Sequence, residues 1–164
     1  MNREQFIACV EREQEAVRGF LLALCCGNKE EADDLAQDAL VKAYLACSGF
    51  RDGGKFRSWL FKIAHNTFLT HKRSQVTHPQ PLPLWKGEEV QAEDEREHHQ
   101  DLYLALATLP PKERSAITLF YLNGYSIKEI AVITETSQDA VKQQLSRGRD
   151  KLRKTLTIDH YDKR

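Results

Sequence analysis

The chain has 164 residues, 41% of them apolar and 29% charged, with 24 basic side chains balancing 24 acidic ones. That length allows one domain or two small ones, and the apolar share is enough for packed cores. No apolar run approaches the roughly 18 to 20 residues of a membrane span. The charge-rich start MNREQFIACVEREQEAVRGF is not a secretory signal, so a soluble, cytoplasmic protein with no membrane insertion of its own is expected.

The charge is unevenly placed. Residues 1–73 hold 11 basic and 10 acidic residues, 74–101 hold 2 and 7, and 102–164 hold 11 and 7. An acidic middle between neutral-to-basic ends predicts two domains and a connector.

Phe6, Val10, Val17, Leu21 and Leu24 recur at helical spacing and predict a first helix over 3–26, stopped by Gly27-Asn28. A second helix is expected from 29 to 47. Its acidic first turn (Glu30, Glu31, Asp33, Asp34) suits the positive end of the helix dipole, and Ala36, Leu40, Ala43, Tyr44 and Cys47 form its apolar face. After the turn signal Asp52-Gly53-Gly54, a third helix carries Trp59, Leu60, Ile63, Ala64, Thr67 and Phe68 inward. Trp59 reads as core and Phe56 is left open. His65 and His71 read as hydrogen-bonded polar residues rather than ligands.

Alternating Pro79, Pro81 and Pro83 then favour extended backbone and remove amide donors, and an acidic run follows. Residues 75–98 therefore read as a flexible linker whose end, within 90–98, is partly helical. Four more helices are expected beyond it, broken at Pro110-Pro111, Asn123-Gly124 and 134–137, with Ser126 and Ser137 as caps. The fold class is all-α. Two small helical domains, 1–74 and 99–164, are joined by the linker 75–98.

The stretch KQQLSRGRDKLRK, 142–154, holds six basic residues against Asp150. It follows a short apolar helix and a turn, the layout of a helix-turn-helix. Val141, Leu145, Leu152 and Leu156 form one stripe of the last helix, and Lys142, Gln143, Ser146, Arg147, Arg149 and Arg153 fall largely outside it. Such a helix fits the major groove of duplex DNA, its early residues at base edges and later basic ones at phosphates. The bland alternative is a solvated face with ordinary charge pairs.

Cys9, Cys25, Cys26 and Cys47 form no CxxC and no zinc-ligand spacing, so they read as small buried apolar residues. No HExxH, nucleophile elbow or phosphate loop occurs. The expectation is no catalytic site, no metal and no cofactor.

The strings DDLAQDALVKAY and FRSWLFKIAHNT stand in the first half, and LPPKER, YSIKEIA and AVKQQLSRGRDKLR, in that order, in the second. Through them the chain resembles the extracytoplasmic-function (ECF) sigma factors of bacterial RNA polymerase. The resemblance implies a promoter-specificity subunit that is not itself an enzyme and has core RNA polymerase and promoter DNA as partners. It also implies an anti-sigma protein, commonly membrane-linked in the family.

Residue by residue, the resemblance implies that Asp33, Asp34, Gln37, Asp38 and Lys42 face core polymerase. Asn66 stands at the pocket for the −10 element, with Phe50, Lys55, Arg57, Lys62 and Arg73 as neighbours for base or phosphate. Lys142, Gln143, Ser146, Arg147 and Arg149 serve the −35 element, with Arg114 and Lys128 touching phosphates. The alternative is a helix-turn-helix regulator that binds duplex DNA without acting as a polymerase subunit.

The sequence departs from the family at TETS, where Glu135 takes a glycine's left-handed position and Thr134 and Thr136 replace apolar residues, and at QDAV. Gly148 inside the recognition helix costs roughly 1 kcal/mol relative to alanine.

Overall fold

The computed structural model describes the backbone of residues 1–51, 55–77 and 93–162 and the side chains of 1–51, 55–75 and 100–155. Among these residues the secondary structure is entirely helical. Of the connector expected over 75–98, residues 75–77 continue one helix and 93–98 begin the next, while 78–92 and the Asp52-Gly53-Gly54 turn lie outside the described residues.

Helix α1 spans Arg3–Leu24. Asn2 opens it with a reciprocal cap: its side chain accepts from the Gln5 amide at 2.8 Å, and the Gln5 side chain accepts from the Asn2 amide at 3.1 Å. The helix ends in two left-handed residues, Cys26 (φ 54°) and Gly27 (φ 87°). A Cβ at Gly27 would lie 2.6 Å from the Tyr103 ring, so only glycine lets the later chain approach this corner.

Helix α2, Lys29–Ala46, is capped by Asn28, whose side chain accepts from the Glu31 amide at 3.2 Å. It buries Ala32, Leu35, Ala36, Ala39 and Ala43. These mostly small side chains let α1 and α3 pack close on either side. Tyr44, expected on the inner face, is instead 47% exposed. Its ring lies at the rim against Phe6, with centroids 5.7 Å apart.

A 3₁₀ turn, Cys47–Gly49, leads to α3, Phe56–Thr77. Phe56, Leu60, Phe61, Ala64 and Phe68 of α3 are buried. Burying one such side chain contributes about 1.5–3 kcal/mol. Phe56 belongs to the core. Trp59 is half-buried and stacks at 4.7 Å on Phe50, a −10 candidate that sits in this aromatic cluster.

The second half comprises α4 (Glu93–Ala107), α5 (Pro111–Ile117), a π-helical turn (Thr118–Leu122), α6 (Ile127–Thr134) and α7 (Gln138–Asp162). Leu106, Leu109, Leu119, Ile130, Ile133, Val141 and Leu145 fill its core. Gly148 has a packing reason: a Cβ there would lie 2.7 Å from Ile117 Cγ1, so the residue that weakens α7 locally is what lets α5 cross it.

The two halves pack together. Helix α3 runs against α6, and α1 meets α4, α5 and the π turn. Phe61 of α3 meets Tyr125 edge-on at 5.3 Å, and the Arg57 guanidinium lies 5.6 Å from both ring centroids.

Three cysteines are buried, Cys26 is partly so, and all four are free thiols. Burial pushes the Cys25 thiol up to about 12, which keeps it protonated and unreactive.

Candidate nucleic-acid interface

Helix α6 begins with a reciprocal cap between Ser126 and Glu129. It buries Ile130, Ala131 and Ile133 and ends at Glu135, which has φ 55° and ψ 42°. The left-handed position expected of Glu135 is thus occupied, at a cost on the order of 1 kcal/mol for a residue with a Cβ. The threonines on either side satisfy each other. Thr134 donates to the Ile130 carbonyl at 2.7 Å, and its hydroxyl lies 2.9 Å from that of Thr136. Ser137 then caps α7, accepting from the Ala140 amide at 3.1 Å.

Val141, Leu145 and Gly148 are buried along one stripe of α7, with Leu152 half-buried. Lys142, Gln143, Ser146 and Arg147 lie exposed on the other side. Lys128 on α6 is also exposed. Arg149 is half-buried and donates to the Tyr121 hydroxyl at 3.2 Å. Lys151 has a structural partner, the largely buried Glu113 carboxylate at 2.8 Å, so the basic run is not all available to a ligand.

Arg114 overturns its expected phosphate contact. It is only 9% exposed, and its guanidinium donates to the Leu106, Leu109 and Leu24 carbonyls at 3.0, 2.9 and 2.8 Å. Three backbone acceptors draw the charge inward, where no phosphate reaches it.

On α3 and its approach, Lys55, Lys62, Asn66 and Arg73 are spaced by seven, four and seven residues. At 3.6 residues per turn this sets all four within about 40° of one line. Lys55, Asn66 and Arg73 are exposed, and Lys62 is partly so. Arg57 lies off this line and pairs with Glu13 at 3.4 Å.

Lys62 Nζ is 3.1 Å from the Glu135 carboxylate in the helix-turn-helix. Lys62 and the Asn66 amide hold that carboxylate below its usual range. Beside them His65 is 2% exposed, and neither ring nitrogen has a partner. Burial pushes its pKa down to about 4. The expectation of a hydrogen-bonded histidine is therefore wrong for His65. It holds for His71, whose Nε2 lies 3.0 Å from Glu31.

On α2, Asp34 and Asp38 are exposed and Asp33 pairs with Arg18 at 3.4 Å. Gln37 and Lys42 flank the acidic line, and Lys42 donates to Thr67 at 3.5 Å. Val41 and Leu45, 58% and 74% exposed, continue the line of Asp34 and Asp38. Neither was among the residues expected on this face. Their signal was an apolar pair outside the buried stripe of the same helix.

Residues 9–77 match the sigma-70 region 2 family and residues 99–152 match sigma-70 region 4. Those two regions in that order define a sigma-70-type transcription initiation factor. The chain is 31% identical over 145 residues to the ECF RNA polymerase sigma factor SigW of Bacillus subtilis, covering 79% of this chain and 78% of that one. It is 27% identical over 160 residues to EcfG of Rhodopseudomonas palustris, covering 96% and 86%. The sigma factor RpoE from Bartonella quintana, solved with the anti-sigma factor NepR, superposes with a TM-score of 0.75 at 27% identity, covering 95% and 99%. The chain belongs to the ECF sigma factors of RNA polymerase, which direct the polymerase to promoters. Among the described residues no helix is long and apolar enough to cross a membrane.

Proposed function

We propose that the chain divides promoter recognition between α7 and α3 and uses α2 to dock on core polymerase. The observation that carries this is the exposed stripe Lys142, Gln143, Ser146 and Arg147, presented by a capped α7 behind the tight α6 turn. These residues read the −35 element, and Arg149 and Lys128 bind flanking phosphates. Arg114 has no part in it. The line Lys55, Lys62, Asn66 and Arg73 serves the −10 element, with Asn66 at the base pocket and Phe50 and Arg57 beside it. Exposed bases are captured there by edge hydrogen bonds and stacking.

Asp34, Gln37, Asp38 and Lys42, with Asp33 behind them, form the polymerase-facing set. The acidic line suits a basic partner and the exposed Val41 and Leu45 add apolar contact. The chain performs no catalysis, acts in the cytoplasm and is held in check by an anti-sigma protein. RpoE of Bartonella quintana, solved with NepR, supports that last point.

Run-off transcription with purified core polymerase and a genomic promoter pool tests the reading. Transcripts are expected only when the chain is added. Asn66→Ala is expected to leave duplex −35 binding intact and to impair promoter opening. Unchanged opening by that variant would remove Asn66 from the −10 site.

A further inference from the structure

Three observations converge where α3 meets the helix-turn-helix. Glu135 adopts a left-handed conformation that glycine accepts without strain. Its carboxylate reaches Lys62 at 3.1 Å, with the Asn66 side chain close beside it. His65, one residue from Asn66, lies buried with no hydrogen-bond partner, an arrangement that exposure to water would relieve. One member of the −10 line, Lys62, is thus engaged by the half of the chain that carries the −35 helix, and a second, Asn66, lies beside the same carboxylate.

The closed arrangement is too small for a promoter. The −35 and −10 elements lie about 25 base pairs apart, or roughly 85 Å at 3.4 Å per pair. A compact chain of this length has a radius of gyration of about 15 Å and is about 40 Å across. The domains must separate before both elements are held, and separation breaks the Glu135 contacts.

We propose that Glu135 is a latch that holds the helix-turn-helix against α3, occupies Lys62 beside Asn66, and keeps the free chain closed to promoter DNA until the contact is broken. The occlusion rests on the −10 reading of α3. Glu135 works by taking up the Lys62 charge: Lys62 stays 39% exposed, but its ammonium is committed to a carboxylate where a phosphate would otherwise bind. The Phe61–Tyr125 contact and the Arg114 bond to Leu24 close the same interface further along.

The test uses the full chain in solution. Small-angle scattering gives the radius of gyration, and fluorescence anisotropy gives affinity for a pool of labelled single-stranded 12-mers. An exposed ion pair shifts such an equilibrium by up to about fivefold. Glu135→Lys, which sets two cations against each other, is expected to expand the chain beyond about 15 Å. The exchange Lys62→Glu with Glu135→Lys is expected to restore compaction. Glu135→Gly is expected to raise single-strand affinity by up to about fivefold. Asp139→Asn, which removes the same charge from an exposed site nearby, is expected to leave compaction unchanged and raise affinity less.

No expansion in Glu135→Lys, or no rescue by the exchange, overturns the latch itself. Expansion and rescue with no affinity gain beyond Asp139→Asn overturns the occlusion and identifies the −10 reading of α3 as the step that failed.

Discussion

Replacing Arg114 separates a structural cation from a DNA-binding one. Its guanidinium makes three bonds to backbone carbonyls, and Leu106 and Leu109 present theirs at the corner between α4 and α5. Arg114→Met keeps the length of the side chain and removes every donor. Hydrogen bonds from a charged donor contribute about 1.5–3 kcal/mol each, and they are not additive. The partners are neutral carbonyls, so the variant strands no charge but leaves buried acceptors short of a donor at about 1–3 kcal/mol each, and a loss of about 3 kcal/mol is expected here. Arg114→Lys supplies one ammonium in place of the planar fork and is expected to recover about half of it. The assay is urea unfolding followed by circular dichroism, with duplex −35 binding measured at several salt concentrations well below the transition. A phosphate contact predicts the opposite pattern: an unchanged unfolding midpoint and a salt slope reduced by about 1. That pattern in Arg114→Met would refute the buried assignment.

Three further outcomes are expected. Lys142→Ala and Arg147→Ala should weaken −35 duplex binding; loss of a phosphate contact lowers the salt slope by about 1, and loss of a base contact costs about 1–3 kcal/mol at one promoter position. Equal binding across salt by both variants would take α7 out of the interface. Gly148→Ala should gain roughly 1 kcal/mol of helix propensity but force Ile117 aside, with a strain of about 1–3 kcal/mol, so the net change in urea midpoint is zero or destabilising; clear stabilisation would show that α5 and α7 have room to spare. His65 ordinarily titrates at 6.5 and in the folded chain at about 4, so between those values the unfolded chain binds more protons. Its contribution is whole above about pH 6.5 and fades by about 3 kcal/mol as pH falls towards about 4. His65→Phe should flatten that part of the stability profile, and an identical acid slope in both proteins would show that His65 does not carry it.

The elements were legible because their signals are local. Ser126 and Ser137 cap where their hydroxyls reach the third amide on, Pro110-Pro111 marks the start of α5, and the family's glycine position marked Glu135 as left-handed. The all-α class and most helix bounds followed from such signals. The direction of a charged side chain did not. Arg114 reads as a surface cation in any window of sequence, because its acceptors include Leu24 in another helix and the corner carbonyls that exist only once α4 ends. Tyr44 fits the spacing of the buried stripe, but α2 is lined by alanines and has no room for a phenol inside. Pairing across the chain was equally hidden. Lys62 and Glu135 lie 73 residues apart in different halves of the chain, and neither residue alone signals the other.

The π turn at Thr118–Leu122 sets the rotational phase between α5 and the end of the turn. The Asn123 amide donates to the Thr118 carbonyl at 3.2 Å, five residues back, so the coil takes up one residue more than an ordinary turn. In an α-helix each residue advances by about 100°, and losing that extra residue would swing Tyr121 about a quarter-circle away from Arg149. One surplus residue upstream thus decides where a cation on the last helix points, and deleting it would misdirect that arm without altering a single residue of α7.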